Sequence, residues 1–390
     1  MFHTILTLAY IIPNIYLFIR IWQLFIRKGY RVYYVLIYLL LFLIYPVSNL
    51  VREEGTFLSE FANYLLPFFL YVFLLVLLLD FLLLLNMLFR IISREKIKSS
   101  PFRRAGLTII ILCSLAVVIA GIINFNTIRI TEYQVSVPRG SSDISHLRIA
   151  FASDFHLQEN TPVRFVERFV EDIKTINPDI MLFGGDIVEG DREDENMEYF
   201  EKLLSSIKTK YGVYGVLGNH EHYARQDRGN FFSKAGIEIL LDSVALIDNS
   251  FFLAGRNDSH SFTRKSAREL LSKITDSLPV ILLDHRPTET AEISRTSADV
   301  VLSGHTHNGQ LFPINFMTSS VYELSYRYMK KSETHFFVSS GIRLWGPPVR
   351  TTGRSEIVVI DVSMVSSTPS NLVFLSPVLP AVCRLDSFTT

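Results

Sequence analysis

Cysteine is scarce in this sequence, and neither sign of charge prevails. The 390 residues include two cysteines, Cys113 within an apolar run and Cys383 near the C-terminus. Two such residues exclude a disulfide framework and a cysteine-rich zinc site. Lys and Arg together number 38, as do Asp and Glu, so the net charge of zero provides no overall field for a strongly charged partner. We therefore expect no nucleic-acid partner.

Hydrophobic residues make up 49% of the chain and are concentrated in its first third. Four long apolar runs lie at 5–25, 33–50, 61–88 and 107–125. About 20 apolar residues span a bilayer as a helix. Buried soluble helices are the alternative, but four successive runs with almost no internal charge favour membrane insertion. The sequence predicts a transmembrane region over 1–127, a soluble domain over 128–362 and a C-terminal tail over 363–390.

The charges between the apolar runs predict the orientation of the chain. The first and third loops are basic, whereas the second is mixed: Arg27, Lys28 and Arg31; then Arg52, Glu53, Glu54 and Glu60; then Arg90, Arg94, Lys96, Lys98, Arg103 and Arg104. Basic loops stay in the cytoplasm. We expect a multi-pass protein of the cell (inner) membrane whose large C-terminal domain faces the extracytoplasmic side.

The C-terminal domain reads as an α/β protein. Strands are predicted at 128–137, which suits a sheet edge, and at 146–153, 179–186, 211–221, 280–285, 298–302 and 356–362. Amphipathic helices are predicted at 161–177 and 197–208. The alternation of strands and helices is typical of an open α/β sheet, in which ligands bind at the carboxyl ends of the strands.

Polar residues stand at five of these predicted strand ends. They are Asp154 and His156, Gly185-Asp186, Asn219-His220-Glu221, Asp284-His285, and the pair His305 and His307. Core packing gives no reason to place polar groups at five strand ends. Five of the ten histidines lie in these motifs. The set therefore predicts a metal cluster at one edge of the sheet.

The pair His305 and His307 lies in the stretch Gly304–Gln310, shortly after the apolar run 298–302. On an extended segment, side chains two residues apart point to the same side, so both imidazoles can serve one metal cluster. The glycines predict a sharp turn after the strand.

Together these residues resemble the calcineurin-like metallophosphoesterase family, and within it the YkuE-like bacterial branch. The resemblance is carried by Asp154-x-His156, Gly185-Asp186, Gly218-Asn219-His220-Glu221, Asp284-His285-Arg286-Pro287, Gly304-His305-Thr306-His307 and Trp345-Gly346-Pro347-Pro348. It does not extend to the membrane region. Asn308 departs from the glycine usual in this branch, a change that alters the turn without removing a ligand.

The resemblance implies a four-layer α/β/β/α sandwich with two divalent metal ions at its edge. It assigns Asp154, His156 and His307 to one ion and Asn219, His285 and His305 to the other, with Asp186 bridging them. Nitrogen and oxygen ligands without thiolate suit Mn, Fe or Zn. Two ions about 3.5–4 Å apart form the usual clamp for phosphoryl transfer.

The same resemblance implies roles for further residues. His220 would protonate the leaving oxygen or stabilise the phosphoryl group, with Asp154 orienting it through the metal shell. Substrate contacts are expected from Arg286, His222, Arg343 and Trp345. Each has a structural alternative: Arg286 precedes a proline, His222 is a lone additional histidine, and the segment 339–350 suits a sheet-edge turn.

These expectations describe a membrane-anchored phosphoesterase. Its partner would be a phosphorylated small molecule or lipid, which includes components of the cell envelope. The reaction would be hydrolysis of a phosphodiester, phosphomonoester or pyrophosphate bond. The alternative is a non-catalytic metal-binding membrane scaffold with the same fold, which predicts the loss of a ligand or of His220. The sequence retains all of them.

Overall fold

The computed structural model of the chain describes residues 2–51, 56–158, 160–189, 195–223 and 229–366. Its N-terminal region contains five helices: α1 Phe2–Phe25, α2 Arg31–Val51, α3 Phe57–Phe89, α4 Arg94–Lys98 and α5 Ser100–Asn126. Of these, α1, α2, α3 and α5 are long and apolar enough to cross a membrane, which confirms the four predicted runs. Arg52, Glu53, Glu54 and positions 367–390 of the predicted tail lie outside the described residues.

An ion pair joins α1 to α3 within the apolar bundle. The Nε of Arg20 donates to Oδ2 of Asp80 at 2.7 Å, and the Tyr16 hydroxyl donates to the same carboxylate. An unpaired carboxylate is costly at membrane depth, and pairing with a guanidinium offsets much of that cost. The pair therefore fixes the position of α1 along α3.

The C-terminal domain contains two six-stranded sheets. Its strands are β1 Ile128–Pro138, β2 His146–Ala152, β3 Ile180–Phe183, β4 Val213–Gly215, β5 Glu238–Ile239, β6 Ser243–Ile247, β7 Phe251–Gly255, β8 Val280–Leu283, β9 Val300–Ser303, β10 Arg327–Lys331, β11 Thr334–Val338 and β12 Ser355–Val365. The first sheet has the order β1-β12-β2-β3-β4-β5, and the second has the order β10-β11-β9-β8-β7-β6. The predicted edge position of β1 is confirmed.

Helices cover the outer faces of both sheets: α6 Val163–Ile176, α7 Glu195–Ser205 and α9 Gly229–Lys234 pack on the first, and α10 Ala267–Leu271 and α11 Thr290–Ile293 on the second. The helices α8 Asn219–Tyr223 and α12 Ile314–Val321 follow β4 and β9 along the chain. Side chains alternate across β2: Ile149 and Phe151 pack between the two sheets, whereas Ala150 and Ala152 face α6 and α7. A third cluster packs α10 and α11 on the second sheet. The four layers confirm the predicted α/β/β/α sandwich.

Several predicted strands differ in length from the observed ones; the strand predicted at 179–186, for example, is Ile180–Phe183. The strand predicted at 211–221 is only Val213–Gly215, because Asn219 opens the short helix α8. Local hydrogen bonds turn the chain there: the His220 amide donates to Asp186 Oδ1 at 2.8 Å, and the Gly218 amide donates to Glu221 at 2.7 Å. The last strand is longer than predicted and pairs with the full length of β1 in parallel.

Replacing Asp299 by asparagine is expected to stabilise the fold at pH 7. Burial raises the pKa of Asp299 to about 6, although its carboxylate accepts a hydrogen bond from the Val280 amide at 2.8 Å. A carboxyl whose pKa is raised on folding contributes stability below its unfolded pKa, and this contribution is lost as pH rises through about 6. Asparagine keeps the acceptor without the charge, so Asp299→Asn should gain about 1–3 kcal/mol at pH 7 and little at pH 4.

The measurement is the denaturation midpoint of both proteins in detergent between pH 4 and pH 7. Asp143→Asn, at an exposed position, serves as the matched control and should show no pH-dependent difference. An equal gain from Asp299→Asn at pH 4 and pH 7 would contradict the assignment.

Candidate metal centre

The carboxyl ends of neighbouring strands in both sheets bring the sequence motifs together. Asp154 and His156 follow β2, Asp186 follows β3, His285 follows β8, and His305 and His307 follow β9, while Asn219 and His220 open α8. Backbone hydrogen bonds join these loops: Asp154 donates to Gly185 O at 2.9 Å, and His156 donates to Asp186 O at 3.0 Å. The strand ends therefore fix the backbone of the site before any side chain is considered.

The ligand atoms fall into overlapping groups. In the first, the atoms of Asp154, His156 and His307 lie within 4.8 Å of one another, and in the second those of Asp186, His285 and His305 do so. A third group, which shares residues with both, contains His156, Asp186 and His220. Asp186 therefore belongs to the group of His305 and, through the third group, lies near His156 of the group that contains His307.

The turn that carries the two histidines is not extended, so that expectation was wrong. His305 and His307 have φ of +72° and +47°, with Thr306 right-handed helical between them. Their rings therefore enter different groups instead of sharing one direction. Asn308 has φ of +48°, a conformation that asparagine tolerates better than most residues, which accounts for its presence where the branch usually has glycine.

The backbone is strained at most of the predicted ligands. Asp154, His156 and Asp186 have φ of +58°, +46° and +52°, so with the two histidines of the turn five of the seven are left-handed. Such conformations cost about 1–3 kcal/mol each and persist where the surrounding structure enforces them, commonly at functional sites. The sheet edge therefore holds these side chains in an arrangement that local preference opposes.

Hydrogen bonds at the outer ring nitrogens leave the inner nitrogens facing other ligand atoms. His285 Nδ1 donates to Gly184 O at 2.7 Å, and its Nε2 lies 3.1 Å from Asp186 Oδ2. His156 Nδ1 donates to Glu189 at 3.0 Å, and its Nε2 lies 3.3 Å from His307 Nε2. Metal-binding histidines commonly donate their second N–H in this way. Acceptors that face each other need a proton or a metal cation between them, so the residues fit divalent ions.

Asn219 supports the same conclusion from a neutral group. Its Oδ1 is buried and has no hydrogen-bond partner among the described residues. Burying a carbonyl oxygen without a partner costs free energy of folding, and a bound cation would be a suitable partner.

The charges of the cluster are consistent with metal binding. Burial, reinforced by neighbouring His285, lowers the pKa of His305 to about 3, and burial also lowers that of His307. Both imidazoles are therefore neutral at pH 7, the form that binds metal. Burial opposes the charged form of His285, but Asp186 outweighs it and raises the pKa to about 10. A metal entering this position would release that proton.

Comparison with known proteins identifies the domain. The profile of the calcineurin-like phosphoesterase family matches residues 147–309. An uncharacterized metallophosphoesterase of Aquifex aeolicus is 30% identical over 251 residues, which cover 60% of this chain and 92% of that protein. The chain belongs to the calcineurin-like metallophosphoesterase family.

Two further relatives bear on the membrane region and on the branch. A transmembrane protein with a metallophosphoesterase domain from Danio rerio is 29% identical over 299 residues, covering 71% of this chain and 68% of that protein. The uncharacterized metallophosphoesterase YkuE of Bacillus subtilis is 24% identical over 244 residues, which cover 60% of this chain and 84% of that protein. This match confirms the YkuE-like resemblance.

Glu221 of this metallophosphoesterase domain organises the loop that carries Asp186. Its buried carboxylate accepts hydrogen bonds from the amides of Gly218 at 2.7 Å, Asp186 at 3.0 Å and Val188 at 3.1 Å. Burial raises the pKa of Glu221, and the backbone donors oppose that effect. Because the amides occupy its oxygens, Glu221 positions the β3 loop against α8.

Glu189 was missed by the sequence analysis. Its carboxylate accepts hydrogen bonds from Nδ1 of both His156 and His220 and from Gln158 Nε2 at 2.6 Å. Burial favours protonation, but the two histidines hold the pKa of Glu189 well below its usual range. The available signal was its place three residues after Asp186 in Gly-Gly-Asp-Ile-Val-Glu-Gly. An isolated glutamate in a loop gave no other reason to select it.

The residues predicted to contact substrate have different neighbours in the structure. Trp345 is half-exposed, and its ring centroid lies 6.1 Å from that of His220. Arg286 pairs with Asp258 at 2.8 Å, and His222 contacts Asn257 at 2.9 Å.

The guanidinium of Arg343 packs between the rings of Phe125 and Phe165, at 5.2 and 4.8 Å from their centroids. Burial lowers its pKa to about 10. The Arg343 amide donates to Asp154 O at 3.0 Å, so this residue touches the site through its backbone. A role of these residues in substrate binding stays a prediction.

Proposed function

We propose that this protein is a membrane-anchored phosphoesterase that uses two divalent ions, Mn, Fe or Zn, to hydrolyse a phosphodiester, phosphomonoester or pyrophosphate bond. The observation that carries the proposal is the position of Asp186, whose carboxylate belongs to ligand groups on both sides of it. A carboxylate so placed suits a bridging ligand. Family membership supplies the expectation of metal-dependent phosphoester hydrolysis.

The chain's own residues would divide the remaining work. When bound, the ions supply an activated water and offset the charge of the phosphoryl oxygens. His220 shares a group with His156 and Asp186 but is outside the seven ligands that the resemblance implies. Its Nδ1 is fixed by Glu189, so its Nε2 is the atom available to give a proton to the leaving oxygen or to contact the phosphoryl group. Trp345 would cover one side of this position.

The retained residues favour an enzyme over a scaffold. A structural site has a closed ligand shell, whereas a catalytic site leaves positions for water and substrate. Here His220 adjoins the ligands, is partly exposed, and is oriented by Glu189. A scaffold has no use for an oriented histidine outside the ligand set.

Hydrolysis by the purified full-length chain tests this proposal. The protein would be loaded with Mn, Fe or Zn and assayed on bis(p-nitrophenyl) phosphate, p-nitrophenyl phosphate and pyrophosphate esters. We expect metal-dependent turnover of at least one class. Absence of turnover with every metal and every class would overturn the proposed function.

We also propose that residues 128–362 form the catalytic domain on the extracytoplasmic side, between the membrane region 1–127 and the tail 363–390. The basic loop between α1 and α2 and the basic segment between α3 and α5 support this orientation. An alkaline phosphatase reporter fused after Thr127 should therefore be active in cells, and a fluorescent reporter that folds only in the cytoplasm should be dark. The reverse pattern would place the domain in the cytoplasm.

A further inference from the structure

The helix α12 exposes an uncharged apolar surface directly after the histidine turn. Phe312, Ile314, Phe316, Met317 and Val321 have between 40% and 73% of their surface exposed. No Asp, Glu, Lys or Arg occurs between Thr306 and Tyr322. Isolated exposed apolar residues are ordinary on protein surfaces. Several of them on one short uncharged segment, interspersed with Asn315, Thr318, Ser319 and Ser320, form a larger patch of the kind that marks an interaction surface.

The same segment is attached to the membrane helices. Leu311 is buried in one cluster with Tyr71 of α3 and with Val118 of α5. The Thr351 hydroxyl contacts the Tyr71 hydroxyl and accepts a hydrogen bond from the Phe312 amide at 2.8 Å. The chain therefore passes from the contact with α3 and α5 directly into α12.

These contacts lie within the apolar lengths of the spanning helices. The Arg350 amide donates to Gly121 O at 3.0 Å. With a rise of about 1.5 Å per residue, Gly121 stands roughly 8 Å before the end of α5. Tyr71 lies inside the apolar run 61–88 of α3, which is longer than a bilayer core requires. This face of the domain thus meets α3 and α5 near the boundary of the hydrocarbon layer, where α12 is continuous with the membrane-spanning surface.

Cationic groups lie beside the histidine turn. Asn308 of that turn lines a cavity together with Tyr326, Arg327 and Arg354. The neighbouring Gly353 accepts a hydrogen bond from Asn124 of α5 at 3.2 Å. Apolar side chains next to arginines are typical of elements that lie in the interface of a membrane, where the guanidinium groups contact anionic headgroups.

Aromatic rings beside the candidate metal centre are connected to this face along the chain. The ring of Tyr322, directly after α12, lies 6.2 Å from that of His305. Trp345, beside His220, lies four residues before Val349, which packs in the cluster with Tyr71 and Val118. An opening of the centre between these rings would favour a substrate that approaches from the membrane side.

We propose that α12 and Phe312 lie in the bilayer leaflet on the side of the catalytic domain, and that the scissile phosphate belongs to a lipid of that leaflet. The second part rests on the proposed hydrolytic function and specifies its substrate class. The helix sets the height of the metal centre at the headgroup layer. A lipid phosphate then enters by lateral diffusion within the leaflet.

Fluorescence quenching tests the position of α12. Single cysteines replace Phe316, Met317 or Leu246 in the full chain carrying Cys113→Ser and Cys383→Ser, and each is labelled with an environment-sensitive dye. Leu246 is the control because it is exposed on β6, the strand at the opposite edge of the second sheet from β10. In phosphatidylcholine–phosphatidylglycerol vesicles with shallow spin-labelled lipids, we expect at least about threefold stronger quenching at 316 and 317 than at 246. Equal quenching would overturn the docking of α12.

A comparison of turnover on lipid and on soluble substrates tests the lipid assignment. Phe316→Lys and Leu246→Lys proteins in vesicles would be given phosphatidic acid or phosphatidylglycerol, and separately bis(p-nitrophenyl) phosphate. For Phe316→Lys, we expect the ratio of lipid to soluble turnover to fall about tenfold, whereas Leu246→Lys keeps the parent ratio. An unchanged ratio for Phe316→Lys would refute the substrate assignment.

The failures of the two proposals are distinguishable. If the parent chain hydrolyses the soluble ester but neither lipid, the lipid assignment fails and the proposed function stands. If it hydrolyses neither lipid and none of the soluble ester classes with any of the three metals, both fail, and the quenching result still decides whether α12 lies in the leaflet.

Discussion

Replacing Asp186 by alanine is expected to lower kcat by about three orders of magnitude or more and to reduce bound metal. The carboxylate lies between the ligand groups of Asp154 and His305, and Nε2 of His285 is 3.1 Å from its Oδ2. Removing this carboxylate takes away a ligand, and with it the negative charge that offsets the repulsion between two bound metal ions. The measurements are kcat on a chromogenic ester and metal content by mass spectrometry.

Two variants separate this effect from a loss of folding. Asp172→Ala removes a carboxylate from α6, outside the ligand groups, and should retain both metal and activity. Asp186→Asn keeps the size of the side chain and should still lose most of the activity. Unchanged hydrolysis by Asp186→Ala would favour the scaffold alternative, with catalysis in the preparation coming from elsewhere.

Replacing His220 by alanine should lower kcat by about 10²–10⁴-fold while bound metal is retained. The structure orients this ring through Glu189, which also fixes His156. A proton donor matters most when the leaving group is a poor one. We therefore expect a larger loss with an alkyl phosphoester than with a p-nitrophenyl ester, and a parallel, smaller loss in Glu189→Gln.

His146→Ala is the matched control, since this histidine opens β2, at the end of the strand away from Asp154, and faces Asp361 at 3.4 Å. It should keep kcat within about threefold of the parent. Equal losses on good and poor leaving groups would assign His220 to the phosphoryl group instead of the leaving oxygen. A loss of metal in His220→Ala would make it a ligand, contrary to the proposal.

The motifs, through the family they resemble, implied the layers of the sandwich, and the predicted strand ends marked most of the residues that the structure brings together. Apolar runs that end in Asp, Asn or His report their own burial and their own polar end, and the carboxyl ends of parallel strands meet at one edge. The contact between His156 and His307, 151 positions apart, followed from that topology. The left-handed backbone at Asp154 and Asp186 did not, because tertiary contacts impose it against local preference.

The features that escaped prediction have no local pattern of their own. Glu189 acquires its importance only when β2 and α8 place His156 and His220 beside it. In α12, apolar residues at exposed positions have the composition of a buried segment, and a sequence alone does not state which surface covers them. The short α8 was read as strand because the apolar run before it continues to Leu217.

The junction between α5 and β1 consists of one residue, Thr127, whose hydroxyl donates to Ile123 O at 2.7 Å. Ser355 of β12 donates to Phe125 O at 2.7 Å and closes the same junction from the other side. No flexible linker therefore separates α5 from the first strand of the domain. An enzyme on a flexible linker sweeps a volume around its anchor, whereas the proposed membrane anchoring would hold this domain at a fixed height above the bilayer. Under that proposal, its encounter rate would depend on the density of the substrate in a thin layer, and a soluble ester in bulk solution would measure that rate poorly.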